Sequence, residues 1–338
     1  MHHQKSRGKP MITQIFATFG PACGTKEIIE EMILAGMTGM RLNLSHTTLQ
    51  ASESYINAYQ EAAKELGVRP QILIDMQGPE LRIGRLQEPV LWEQENIVLL
   101  GEKGIPVPKE VIAEAECGDR ILLDDGRIQI EAFEILADSI QAKVLRGGLL
   151  QGHKSIKIQG KNVKMPVLTE HDLENIRLAK EYGVTALMQP FVLSAEDLVY
   201  VRNALKENHA EDIKIFAKIE NRGGVERLEN ILTEADVVVI ARGDLGNDMP
   251  LWELPVVQKQ IEEICKKHDK PYIVVTQMLA SMEQNPIPTR AEVSDIFHAV
   301  WHGAWGVMIT GESAVGKYPV GAVKYLVNTA GTAEGYRK

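Results

Sequence analysis

The sequence predicts an α/β fold, a (β/α)8 TIM barrel interrupted after its third strand by an antiparallel β domain. Three observations carry this expectation. Short apolar runs of strand length alternate with helix-length segments, and eight such pairs are found outside one atypical stretch. That stretch, from Gly78 to about Met165, breaks into short β-branched runs separated by turn residues such as Asp124-Asp125-Gly126 and Gly147-Gly148. Charged residues stand at the C-terminal ends of two central apolar runs, the end at which parallel α/β proteins place their sites.

In order, the runs 12–19, 39–44 and 71–76 read as strands, with helices from about 25 to 35 and 48 to 66 between them. The inserted β domain follows, hinged near Gly78-Pro79 and Pro166, so that the chain divides into 1–78, 79–165 and 166–338. Alternation then resumes: helix 169–182, strand 185–191, helix 195–207, strand 213–219, helix 224–232 and strand 236–241. The last units are helix 253–268, strand 272–276, helix 289–302, strand 306–310 and helix 320 to about 334.

The central unit is the most informative. The run 213–219 places Lys218 and Glu220 two residues apart on one side of a strand end, and the run 236–241 ends in Arg242-Gly243-Asp244-Leu245-Gly246. Arg41, Asn43 and Ser45 likewise fall on one face at the end of the second strand. Polar groups on the inward face of a barrel are costly without partners.

Composition narrows the function classes. With 338 residues, 44% of them hydrophobic and 25% charged, the chain is long enough for a barrel-sized core plus a smaller domain. A net charge of -9 argues against nucleic acid and anionic membranes as partners. Cys23, Cys117 and Cys265 are widely spaced, with neither a disulfide framework nor a zinc pattern, so a cytoplasmic location is expected. Lys5, Arg7 and Lys9 precede an apolar stretch, but Thr13, Gln14 and Thr18 interrupt it, so a first strand is expected rather than a signal peptide. No run approaches membrane-spanning length.

The motifs are A-T-F-G-P-A (17–22), R-L-N-L-S-H (41–46), D-M-Q-G-P-E-L-R (75–82), D-D-G (124–126), A-K-I-E-N (217–221) and A-R-G-D-L-G (241–246). T-Q-M-L-x-S-M (276–282), N-P-x-P-T-R-A-E (285–292) and G-E-S-A-V-G-K-Y-P (311–319) complete the series. Through them, in this order over nearly the whole chain, the sequence resembles the pyruvate kinases. The resemblance implies a barrel with a β-rich lid inserted after the third strand. It also implies phosphoryl transfer between phosphoenolpyruvate and ADP, giving pyruvate and ATP, with Mg²⁺ (or Mn²⁺) and K⁺. The domain that commonly follows the barrel in that family is expected to be absent, and a monomer or dimer is expected with it.

The resemblance also implies roles by position: Lys218 is expected to supply positive charge to the transferring phosphoryl group and the enolate oxygen, Thr276 to protonate the enolate carbon or relay a proton, and Arg41 to reach phosphate. Glu220 and Asp244 are the expected Mg²⁺ ligands, hard oxygens of the kind that ion takes one or two at a time. Gly243 and Asp244 offer backbone N–H groups to the substrate carboxylate. The resemblance implies a K⁺ site of Asn43, Ser45, Asp75 and the carbonyl of Met76, with Glu80 at an acidic position tied to monovalent-cation dependence. Arg82 and Lys154 match nucleotide-phosphate contacts, with His46 nearby. Read from the residues alone, Glu220 equally suits a structural ion pair with Lys218 or Arg242, and Thr276 an ordinary strand position.

Some positions depart from the family pattern. Pro190 replaces a hydroxyl residue, removing a polar group and a backbone donor. Met76 and Gln77 replace Thr and Lys, Thr47 replaces Gly, and Asn247-Asp248-Met249-Pro250-Leu251-Trp252 is unusual, with Trp252 expected to pack the following helix. These leave as alternatives a diverged enzyme for a related 2-oxo acid or enolpyruvate, a metal-dependent lyase or aldolase, and a non-catalytic binder of phosphoenolpyruvate or nucleotide. The segment 311–317 fits G-x-x-x-x-G-K, but Tyr318 stands where a P-loop needs Ser or Thr. The segment 147–155 fails similarly, with His153 displacing the lysine.

Overall fold

In a computed structural model, which describes residues 13–45, 47–78, 81–161, 163 and 165–337, eight parallel strands close into a barrel. His46 and Glu80 lie outside the described residues. The barrel strands are β1 (Gln14–Thr18), β2 (Gly39–Asn43) and β3 (Ile72–Asp75), then, after the insert, β11 (Ala186–Gln189), β12 (Lys214–Ile219), β13 (Val237–Ala241), β14 (Tyr272–Val275) and β15 (Gly306–Met308). Neighbours run β1-β2-β3-β11-β12-β13-β14-β15, and β1 pairs with β15 to close the ring.

Side-chain alternation sorts two cores. Phe16, Leu73, Met188, Phe216, Val239, Ile273 and Met308 fill the barrel interior. Their neighbours in sequence, such as Ile15, Ile74, Leu187, Ile215, Ile240 and Val274, point outward into the surrounding helices. The Trp305 ring lies 6.1 Å from both Phe16 and Phe216, just before β15 begins. It fills the N-terminal end, and the charged strand ends stand at the opposite mouth.

The insert contains β4 (Val90–Trp92), β5 (Ile97–Gly101), β6 (Arg120–Leu123), β7 (Ile128–Ile135), β8 (Ser139–Arg146), β9 (Gly148–Leu150) and β10 (Ile156–Ile158). They form an antiparallel sheet β10-β6-β7-β8-β5 and a two-stranded sheet β4-β9 around a separate apolar core. A single helix, Lys109–Glu114, departs from the expected all-β texture; only Val111 of it is buried, so it has no periodicity to read. The two ends of the insert meet at one carboxylate. Asp172, fully buried, accepts N–H bonds from Gln77 (2.9 Å), Gly78 (3.0 Å) and Thr169 (2.9 Å). Gly78 has φ +58°, and a Cβ there would stand 2.3 Å from the Pro190 ring, so only glycine fits this exit point.

Helix boundaries follow their caps. Thr169 and Asp172, Ser194 and Asp197, and Thr289 and Glu292 form capping boxes at the starts of Glu170–Ala179, Ala195–Glu207 and Arg290–Trp301. The expected helix over 224–232 is instead two short pieces, Arg222–Glu226 and Leu228–Ile231, interrupted at Arg227. Trp252 is 81% exposed and does not pack the next helix as expected. No helix among the described residues is long and apolar enough to cross a membrane.

The motif carboxylate Glu292 is structural. It accepts bonds from Thr289 N (2.8 Å), Thr289 Oγ1 (2.9 Å), Ser281 N (2.7 Å) and the Ser281 hydroxyl, tying the loop after β14 to the next helix. Partial burial alone would raise its pKa, but these bonds outweigh it and lower the value. A depressed carboxylate contributes stability above its unfolded pKa, near 4.3, and loses it as pH falls through the folded value. Glu292→Gln should therefore cost about 1–2 kcal/mol at pH 7. In urea melts the gap between variant and parent should narrow progressively as pH falls from the unfolded pKa through the lower folded value; a gap that does not change with pH would assign the loss to shape rather than charge.

Candidate active site

A cleft of about 480 Å³ opens at the C-terminal mouth of the barrel, under the inserted domain. Arg41, Asn43, Ser45, Asp75, Met76, Lys218, Gly243 and Asp244 line it from the barrel, and Arg82, Asp125 and Arg127 from the insert. The structure thus gathers most of the residues singled out from sequence into one chamber.

Its floor is an ion network. Asp75, 3% exposed at the end of β3, accepts from Arg41 Nε (2.9 Å) and Nη2 (2.6 Å), while Lys218 Nζ lies 3.2 and 3.4 Å from its two oxygens. Lys218 Nζ also stands 2.9 Å from Glu220 Oε1. The Lys218–Asp75 contact spans two barrel strands that are not neighbours, since β11 lies between β3 and β12. Inward side chains at one height of a narrow barrel meet across it.

Burial would drive the Lys218 ammonium toward neutrality, yet Asp75, Glu220 and Asp244 outweigh burial and raise its pKa. The same balance works in reverse at Asp75: burial raises its pKa, and Lys218 and Arg41 more than offset this. Glu220 differs. Burial, reinforced by the like charge of Asp244, pushes it up to about 7 despite the lowering effect of Lys218. Asp75, Glu220 and Asp244 thus bring three carboxylates to the floor that Lys218 and Arg41 share, and the mutual repulsion of Glu220 and Asp244 is of the kind a further cation relieves.

Backbone strain holds this centre in shape. Phe191, just past β11, has φ +53° and donates its N–H to Glu220 Oε2 at 2.8 Å. Thr276 (φ +69°) and Gln277 (φ +54°) turn sharply after β14, and a β-branched residue at positive φ is an outlier that its surroundings must impose. Arg242 imposes it: Nη2 donates to Thr276 O at 2.7 Å while Nη1 is fixed by Asp295 at 2.6 Å. Arg242 is therefore committed to Asp295, and of the two ion-pair partners considered for Glu220 only Lys218 takes the role.

Other expected residues sit around this floor. Thr276 Oγ1 accepts the Gly243 N–H (2.9 Å) and donates to Val275 O (2.6 Å), so the Gly243 donor is engaged within the protein. Residues Arg242–Asn247 form a short helix, with Gly243 and Asp244 in its first turn. Asn43 Oδ1 accepts the Ser45 N–H at 3.2 Å. Lys154 is in the insert, 2.7 Å from Asp124 and outside the cleft lining. Arg82 donates to His153 O at 2.8 Å, and Ser155 Oγ bridges to Asp125 at 2.8 Å. Sequence reasoning missed Phe191, Asp295, Arg127, Asn247 and Gln277; a positive φ on a non-glycine residue leaves no compositional trace.

For a metal, the donor set has a definite character. Among the described residues no group of three or more His, Cys, Asp or Glu side chains converges as a dedicated cage. The pair Glu220 and Asp244 suits a hard divalent ion that takes its remaining ligands from water and phosphate oxygens. Glu220 Oε1 is buried and makes no hydrogen bond, only the ion pair to Lys218. The residues fit the group.

Fold and site together define the class: a (β/α)8 barrel protein with its charged centre at the strand ends, under an inserted β domain. Comparison with known proteins makes this specific, since the profile for the pyruvate kinase barrel domain matches residues 11–323. The chain belongs to the pyruvate kinase family. It is 37% identical over 333 residues to the pyruvate kinase of Bacillus licheniformis, covering 95% of this chain and 57% of that one. It is 38% identical over 335 residues to the pyruvate kinase of Thermococcus litoralis, covering 96% and 70%. The Staphylococcus aureus (strain MRSA252) enzyme gives 37% over 333 residues, 95% and 57%. The chain thus spans little more than half the length of the Bacillus and Staphylococcus relatives.

Proposed function

We propose that this chain moves the phosphoryl group of phosphoenolpyruvate to ADP, yielding pyruvate and ATP. The observation that supports it best is Lys218, held at the cleft floor between Asp75 and Glu220 and facing the cations of the inserted domain. In the reaction the P–O bond to the enol oxygen breaks as a terminal ADP oxygen bonds to phosphorus, and the enolate carbon then takes a proton. Lys218 and Arg41 would stabilise the negative charge on the phosphoryl oxygens and the departing enolate. Thr276 is assigned the proton transfer to the enolate carbon; rotation away from Val275 O would free its proton. Arg82, Lys154 and His46 are assigned to nucleotide phosphates, and Gly243 and Asp244 to the substrate carboxylate.

Glu220 and Asp244 would hold Mg²⁺ or Mn²⁺, in keeping with a family that is generally metal-dependent. When bound, that ion supplies Lewis-acid charge neutralisation at the phosphate oxygens. Asn43, Ser45, Asp75 and the Met76 carbonyl would hold K⁺. The test is pyruvate formation from phosphoenolpyruvate and ADP in a coupled assay; no pyruvate from a folded, metal-supplied protein would sink the proposal. In the same assay, replacing Na⁺ or tetramethylammonium by K⁺ at constant ionic strength should raise the rate. A flat response would leave the Asn43 cluster a structural hydrogen-bond set.

A further inference from the structure

We propose that Asp248 and Lys157 form a latch that holds the inserted domain down on the barrel and ties it to the loop following Glu220. Lys157 lies on β10 of the insert and Asp248 on the barrel, directly after the short helix Arg242–Asn247 that carries Asp244. Lys157 Nζ and Asp248 Oδ1 are 2.9 Å apart, both atoms are buried, and neither makes another hydrogen bond. The second carboxylate oxygen accepts the Arg222 N–H at 2.7 Å, two residues beyond Glu220. One buried carboxylate therefore meets the insert on one side and the Glu220 loop on the other.

The surroundings show why a charge pair dominates here. Beside it lies an unfilled space of about 130 Å³, walled by Leu122, Ile156 and Ile158 of the insert and by Pro190 and Val192 of the barrel. The apolar seat is incompletely packed, and lining atoms without partners forgo their dispersion contacts. Another close approach is the Gly126 turn against Asn247, where a Cβ would stand 3.2 Å from Oδ1. In the closed seam neither charge has another ionic partner among the described residues, so removing either one leaves the other buried and uncompensated and shifts the balance toward the open arrangement, where it returns to water.

The latch rests on this geometry and not on the identity of the reaction. Cys117 is exposed on the insert while Cys23 and Cys265 are buried, so one added cysteine, Glu207→Cys on the barrel helix Ala195–Glu207, permits double spin labelling of the full chain. Distance distributions are compared for this protein and for Lys157→Met, Asp248→Asn and the double variant. Each single change is expected to raise the ratio of long to short distances about tenfold, and the double variant to do no more than the larger single effect. Asparagine keeps an oxygen for the Arg222 N–H, so exchange protection of that amide should be retained. Unchanged distributions in both single variants, or effects that multiply, would overturn the latch. Should Asp248→Asn fail to fold, Lys157→Met carries the test alone.

Discussion

Lys218→Met is expected to lower kcat by about a thousandfold or more while the barrel stays folded. Among the described residues the ammonium is the cation that touches both Asp75 and Glu220, and methionine keeps the length of the stem while removing the charge. Unpairing buried carboxylates costs roughly 3–5 kcal/mol when they stay ionised. Glu220, already pushed up to about 7, can take a proton and absorb part of that loss. The measurement is kcat at saturating substrates alongside thermal unfolding. A folded variant with parental kcat would remove Lys218 from the chemistry and leave it a structural counter-ion.

The second large effect is expected at the carboxylate pair. Glu220→Gln and Asp244→Asn should each weaken Mn²⁺ binding by at least about tenfold, equivalent to roughly 1.4 kcal/mol, because each deletes an anionic oxygen ligand. Glutamine can still accept the Phe191 N–H, so the strained turn after β11 keeps its anchor and a loss of affinity reports charge rather than collapse. Titration of the ion's paramagnetic signal, with no substrate present, separates binding from turnover. Parental affinity in both variants would place the metal elsewhere.

Most of the architecture was legible because it rests on local pattern. The run expected over 236–241 corresponds to a strand, Val237–Ala241, buried on both faces, and the helices expected from 169, 195 and 289 begin where capping boxes stand. The residues of the site were legible through motifs, but their partnerships were not. Asp75 was singled out by its motif, but its pairing with Arg41 and Lys218 was not foreseen. That pairing depends on strand order around a closed ring, which spacing along the chain does not encode. The Arg242–Asp295 pair joins a strand end to a helix 53 positions later. The interruption at Arg227, between two short helices, left no mark in the pattern read as one continuous helix.

The clamp at Asp172 has a consequence for how this molecule acquires its shape. Because Gln77, Gly78 and Thr169 converge on one buried carboxylate, the intervening segment enters and leaves at a single point. Loop-closure entropy grows only with the logarithm of length, so such an excursion adds little to the entropy lost when β3 and β11 pair. A collapsed insert with its own apolar core shortens the effective loop further. Ring closure of the barrel and maturation of the insert then become separable kinetic events. Grafting a different β module between residues 78 and 169 should leave the rate of barrel assembly nearly unchanged, as long as Asp172 is retained.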